Sequence, residues 1–115
     1  MTREGATDVR PIAEAVRSRT VTALVCITDT VALGVIESLR EAGIRAPKDV
    51  SIVGIDGIPL AADARLTTVE QQMEEVGAKA VGLLLDEIEG ARTDTRQVTV
   101  APRLVRRQST GGPPA

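Results

Sequence analysis

Apolar residues recur along the chain with two different periods, and the alternation between those periods sets the expected architecture. In VRPIAEAVRSR, Val9, Ile12, Ala13 and Val16 fall at i, i+3, i+4 and i+7. That spacing makes one stripe of a helix, and Pro11 is tolerated in a first turn. TVTALVCI, from Thr20 to Ile27, is β-branched and nearly uncharged, which predicts a strand buried on both faces. Helical spacing returns in TDTVALGVIESLREAG through Ala32, Val35, Ile36 and Leu39, with Gly43 as a left-handed stop and Pro47 just beyond it. VSIVGID reads as a second buried strand. Strand, helix and strand joined by short connections form a βαβ unit, which implies a parallel sheet and a right-handed crossover.

From Leu66 onward the rhythm changes, and the chain reads as the start of a different packing unit. MEEVGAKAVGLLLDEIEG places Met73, Val76, Ala80, Leu83, Leu84 and Ile88 on one helical face, with Gly90 as the stop. QVTVAPRLVRR is a last strand interrupted by Pro102. Lacking an N–H, Pro102 puts this strand at a sheet edge or at a passage between two sheets. QSTGGPPA reads as a frayed tail. The expected fold class is α/β. No internal repeat is visible.

Composition changes this picture in one respect. An apolar share of 43% with 26% charged residues suits a globular chain rather than a disordered one. Phe, Tyr and Trp are absent, so the core has to be built from Val, Ile, Leu and Ala. At 115 residues the chain is one domain at most, or a piece of a larger one. A formal charge of -2 argues against nonspecific nucleic-acid binding, and Arg103, Arg106 and Arg107 read as a solvated strand face. With no histidine and one cysteine, a zinc site of the usual kind has no ligands, and no internal disulfide can form. MTREGATDVR lacks the apolar core of a signal peptide and no stretch approaches a membrane span, so the expected location is cytoplasmic.

Candidate chemistry sits where parallel sheets usually bind ligands, beyond the carboxyl ends of the strands. Asp29 follows the first strand and Asp56 the second. Thr28 or Asp29 can cap the helix that starts there. Asp56, between Gly54 and Gly57, is either an Asx-type turn or a carboxylate given room to contact a ligand. Catalysis has little to stand on. There is no Gly-rich phosphate loop, and Ser38 and Ser51 have no histidine to activate them. Cys26 reads as a small core hydrophobe. Two acids at neighbouring strand ends could hold magnesium in principle, a minor alternative. No cofactor is expected, and the chain does not read as an enzyme.

TALVCITDTVALGVIESLREAGIRAPKDVSIVGIDGIPLA, then LTTVEQ, VGAKAVGLLL and RLVRRQST, resemble in order the C-terminal part of the LacI/GalR family of bacterial transcription regulators. The resemblance runs from about Val9 to Thr110. It implies an incomplete effector-binding domain like the type I periplasmic sugar-binding proteins. Residues 1–65 would be part of the C-terminal lobe, 66–100 a crossover and helix of the N-terminal lobe, and 101–115 a return crossover strand and tail. It also implies a ligand-binding set of Asp56, Thr28, Asp29 and Gln71: Asp56 and Gln71 face an effector cleft, Thr28 stands where the family usually has Asn and replaces an amide by a hydroxyl, and Asp29 caps a helix supporting the site. A carboxylate suits hydroxyl recognition, because it accepts from two adjacent hydroxyls through charge-assisted bonds. Two departures stand out. PLAADARLTT is short, with no proline after Pro59, and the aromatic residues that stack on sugars are missing.

The resemblance implies sensing of a small-molecule effector, a sugar or similar compound. It further implies a homodimer, and contact with operator DNA only through a helix-turn-helix domain that these residues do not include. The competing expectation is a truncated remnant with only an assembly or dimerisation role and no ligand binding of its own.

Overall fold

The computed structural model describes residues 8–90 and 96–114. Residues 1–7, 91–95 and 115, which fall within the three expected stretches, lie outside the described residues. Among the described residues eight elements follow in order: α1 (Arg10–Arg17), β1 (Ala23–Val25), α2 (Asp29–Glu41), β2 (Ser51–Asp56), α3 (Pro59–Asp63), β3 (Thr67–Glu70), α4 (Met73–Ile88) and β4 (Arg103–Val105). The sheet order is β1-β2-β3-β4. The first three strands run parallel, and β4 is antiparallel at the edge beside β3.

The helices form where the pattern placed them. Pro11 sits in the first turn of α1, whose Ala13 and Val16 are buried. The apolar stripe of α2 buries Ala32, Val35 and Leu39, and the helix ends before Gly43, which has φ 82°. These residues meet Ile44, Val50, Ile52, Ala61 and Leu66 in a single aliphatic core. Leu39, at 1% exposed, contributes about 1.5–3 kcal/mol of burial. α3 was not anticipated. It carries Pro at its first turn after the extended Ile58, a start that Pro favours because its missing N–H would have no helical partner there.

Three expectations are corrected. The strand expected over Thr20–Ile27 shrinks to Ala23–Val25, and it is not buried on both faces. Helix packing covers the sheet face carrying Leu24 and Ile52, whereas Val25 and Ile27 remain 75% and 77% exposed. A β-branched run states that a strand forms, not how many layers cover it. Second, the stretch from Leu66 does not at once begin a separate unit. Leu66 is fully buried in the core, and β3 pairs with β2 from Val53↔Thr67 to Asp56↔Glu70.

Third, the expected frayed tail is tied down through Gly111. β3 begins opposite Val53, so the preceding β2 residues have no β3 partner, and the tail takes that place. The Ile52 N–H donates to the Ser109 carbonyl (2.9 Å), and Ser109 Oγ donates back to the Ile52 carbonyl (2.6 Å). Ser109 Oγ also accepts from the Thr67 N–H at 2.8 Å, and the Gly111 N–H donates to Ser51 Oγ at 3.0 Å.

α4 stands apart from this packing. None of its residues is buried, and Met73, Val81, Leu84, Leu85 and Ile88 are all exposed. The last strand is also shorter than expected. It starts directly after Pro102 and occupies an edge, one of the two positions a missing N–H allows.

Candidate functional site

β2 ends in backbone that few side chains adopt: Asp56 has φ 130° and Gly57 has φ 79°. For a non-glycine residue such a conformation costs on the order of 1–3 kcal/mol and persists only when its surroundings impose it. Gly57 is required twice over. Its φ lies in the left-handed region, and a Cβ there would come within 2.5 Å of Glu70 Cγ and 3.2 Å of Glu70 Cα.

Next to this turn lies Asp29. As the first residue of α2 it lies at the positive end of the helix dipole, where a carboxylate is favoured. It is fully buried, and its oxygens are engaged. Oδ2 accepts from the backbone N–H groups of Gly57 (2.8 Å) and Ile58 (3.0 Å), and Oδ1 accepts from the Thr68 hydroxyl. A buried carboxylate needs such partners, since an unpaired charge would be far too costly to desolvate. Gly54 makes the room, because a Cβ at that position would collide with Asp29 Oδ1. The capping role belongs to Thr28, whose side chain accepts from the Val31 N–H at 3.1 Å.

The Asp56 carboxylate meets the next strand end. Gln71 Nε2 donates to Asp56 Oδ1 at 2.7 Å. Asp56 and Gln71 line an open hollow of about 560 Å³ together with Gly57, Ile58, Glu70, Gln72, Met73 and Glu74. Thr28 and Asp29 are not part of that lining. Of the four residues singled out from the sequence, the structure therefore brings Asp56 and Gln71 together at the surface. Thr28 and Asp29 hold the frame behind them.

Glu70 was missed. It stands opposite Asp56 in the parallel register and accepts from Arg103 of β4 at 2.8 Å. Only the strand register identifies it, since a glutamate at the end of a strand is unremarkable in sequence. The hollow thus presents carboxylates and side-chain amides, a mixture of acceptors and donors that matches hydroxyl groups. Its volume is in the range of small-molecule sites. A second hollow of about 430 Å³ lies at the opposite ends of the strands, lined by Val16, Arg17, Val21, Thr22, Ile44 and Asp49 among others.

Cys26, between β1 and Thr28, is buried, and burial pushes its thiol above the ordinary value of 9.0. It packs as a small hydrophobe. Among the described residues no group of three or more His, Cys, Asp or Glu side chains could hold a metal ion. No described helix is long and apolar enough to cross a membrane.

The profile of the periplasmic binding protein-like domain matches residues 2–110. The HTH-type transcriptional regulator MalR of Streptomyces coelicolor is 43% identical over 104 residues, 89% of this chain and 30% of that protein. The HTH-type transcriptional repressor PurR of Proteus mirabilis is 43% identical over 95 residues, 81% of this chain and 28% of that protein. The chain thus spans less than a third of the length of these relatives. Among solved structures, a LacI family transcriptional regulator from Arthrobacter sp. FB24 in complex with lactose superposes with a TM-score of 0.73 at 34% identity, over 86% of this chain and 39% of that one. A LacI family regulator from Enterococcus faecium with bound ribose gives a TM-score of 0.71 at 29% identity, over 85% and 39%.

Proposed function

The chain belongs to the periplasmic binding protein-like family, in the form carried by LacI-type transcriptional regulators, and we propose that it supplies one side of an effector-sensing cleft. The observation that carries this reading is the pairing of Asp56 with Gln71 at 2.7 Å over an open hollow of about 560 Å³ at the strand ends. A hydroxyl-rich small molecule, a sugar by the example of the lactose- and ribose-bound relatives, is the ligand class this mixture fits. Asp56 accepts from ligand hydroxyls, and Gln71 orients the carboxylate and adds a donor. Thr28 caps α2 behind the site.

In this reading α4 belongs to a second lobe, and ligand binding favours the closed arrangement of the two lobes. In a regulator, that closure biases the DNA-binding state by shifting a two-state population. Contact with operator DNA falls to a domain outside these residues, the working unit is a homodimer, and the chain performs no catalysis. The test is titration of the 115-residue chain with a panel of mono- and disaccharides, followed by amide chemical shifts. Saturable shifts at Gly57 and at the Gln71 side-chain amide are expected for at least one sugar. Asp56→Ala should weaken that sugar roughly tenfold or more, the loss of one charge-assisted hydrogen bond of about 1.5–3 kcal/mol. Saturable binding that Asp56→Ala leaves intact would overturn the assignment.

One observation favours the alternative of an assembly role without ligand binding: α4 buries none of its residues and exposes an apolar surface. Sedimentation of the chain with and without sugar separates the two. Self-association with no sugar response at any site supports assembly alone.

A further inference from the structure

We propose that Asp29 is the positioning residue of the Asp56 site, acting on the ligand only through the backbone that it holds. This inference rests on the effector-site reading just given and deepens it. Asp29 is fully buried and absent from the lining of the hollow, so it cannot meet a ligand directly. Its Oδ2 nevertheless takes the two backbone N–H groups that follow Asp56, those of Gly57 and Ile58.

Those two bonds fix the direction in which the chain leaves β2. Continued in an extended conformation past Asp56, the strand would carry both N–H groups away from the start of α2. The φ of 130° at Asp56 and 79° at Gly57 is the turn that brings them onto the carboxylate. The same turn fixes where Asp56 aims its side chain, within reach of Gln71. The other Asp29 oxygen is anchored by the Thr68 hydroxyl on β3, two residues before Glu70. One buried carboxylate therefore ties the start of α2, the end of β2 and Thr68 of β3 into a single corner. Gly54 is the clearance that lets it sit there.

An amide in place of the carboxylate preserves the contacts. Its oxygen can accept from Gly57 and Ile58, while its NH2 donates to the Thr68 oxygen, which accepts as readily as it donates. Alanine removes the contacts. The full chain with Asp29→Asn, Asp29→Ala and Thr68→Val is therefore compared by two readouts. The first is the three-bond HN–Hα coupling of Asp56 without sugar, which is small at a φ near 130° and large in extended backbone. The second is affinity for whichever sugar the native chain binds.

Expected are a small coupling and near-native affinity for Asp29→Asn, and a large coupling with at least a tenfold loss of affinity for Asp29→Ala. Thr68→Val, which removes only the anchor on β3, should move both readouts in the same direction by a smaller amount. It serves as the deciding variant if Asp29→Ala does not fold. An unchanged Asp56 coupling in the folded Asp29→Ala chain, or in Thr68→Val if that alone folds, overturns the inference. Because the coupling is read without sugar, it tests positioning even if Asp56→Ala shows that Asp56 does not contact the ligand. That second result would count against the effector-site reading alone.

Discussion

Gly54→Ala is the substitution for which local rules and the folded structure disagree most sharply. Strand interiors disfavour glycine, and replacing it by alanine in an unobstructed strand should stabilise the chain by about 0.5–1 kcal/mol. In the fold, a Cβ at position 54 runs into Asp29 Oδ1 and stands 3.0 Å from Leu66 Cδ2 and 3.1 Å from Asp29 Cα. The Leu66 methyl can give way, but the Asp29 backbone, fixed as the first residue of α2, cannot. Two responses remain. The strand shifts outward, an overpacking cost of about 1–3 kcal/mol. Alternatively Asp29 is pushed off its donors and gives up charge-assisted bonds of about 1.5–3 kcal/mol each.

Set against the local gain of about 0.5–1 kcal/mol, the first route leaves a loss of about 1–2 kcal/mol and the second a larger one, so a net loss on the order of 2 kcal/mol is expected out of the roughly 5–15 kcal/mol that a domain possesses. At this chain length that lowers the midpoint of thermal unfolding by roughly 10 °C. The assay is urea unfolding followed by far-ultraviolet circular dichroism, since a chain without Trp or Tyr has no useful intrinsic fluorescence. A midpoint shifted at unchanged slope isolates the stability effect. A Gly54→Ala chain as stable as the native one, or more stable, refutes both the clash and the fixed position of Asp29.

Other substitutions test the remaining features. Ser109→Ala leaves the Thr67 N–H and the Ile52 carbonyl without their side-chain partner and should cost about 1–3 kcal/mol in the same unfolding assay, whereas a frayed tail would tolerate it. Leu84→Lys, on the exposed α4, should change stability by less than about 0.5 kcal/mol, and a loss of several kcal/mol would show that the helix is packed in solution. Cys26 should react with a thiol reagent at pH 8 at least ~100-fold more slowly in the folded chain than in urea, because burial disfavours its thiolate. Its raised pKa makes the neutral thiol part of the fold. That contribution is fully present below the ordinary value of 9.0 and is lost as pH climbs beyond it, so Cys26→Ala should flatten the alkaline fall in stability.

Much of the architecture was legible because α1, α2 and β2 are each specified by local signals that agree with one another. A stripe at helical spacing, a left-handed stop at Gly43 and an uncharged β-branched run leave few alternatives. Asp56 and Gln71 were legible as a pair only through the ordered motifs shared with a regulator family. Their meeting at 2.7 Å depends on how β2 and β3 are paired.

Sequence alone determined the type and order of α1, β1, α2, β2, α4 and β4, the parallel βαβ unit, and the aliphatic core that follows from having no aromatic residue, but neither α3 nor β3. Tertiary structure decided the rest, since each remaining feature depends on partners distant in the chain. Asp29 and Gly57 are 28 residues apart, and no local pattern announces that a carboxylate at the start of a helix will hold the end of a strand. The tail is ordered because β3 starts two residues short of the beginning of β2 and leaves polar groups to be paired. Val25 is exposed and Leu24 is not because packed helices cover only one face of the sheet, and periodicity cannot report how many layers a sheet receives.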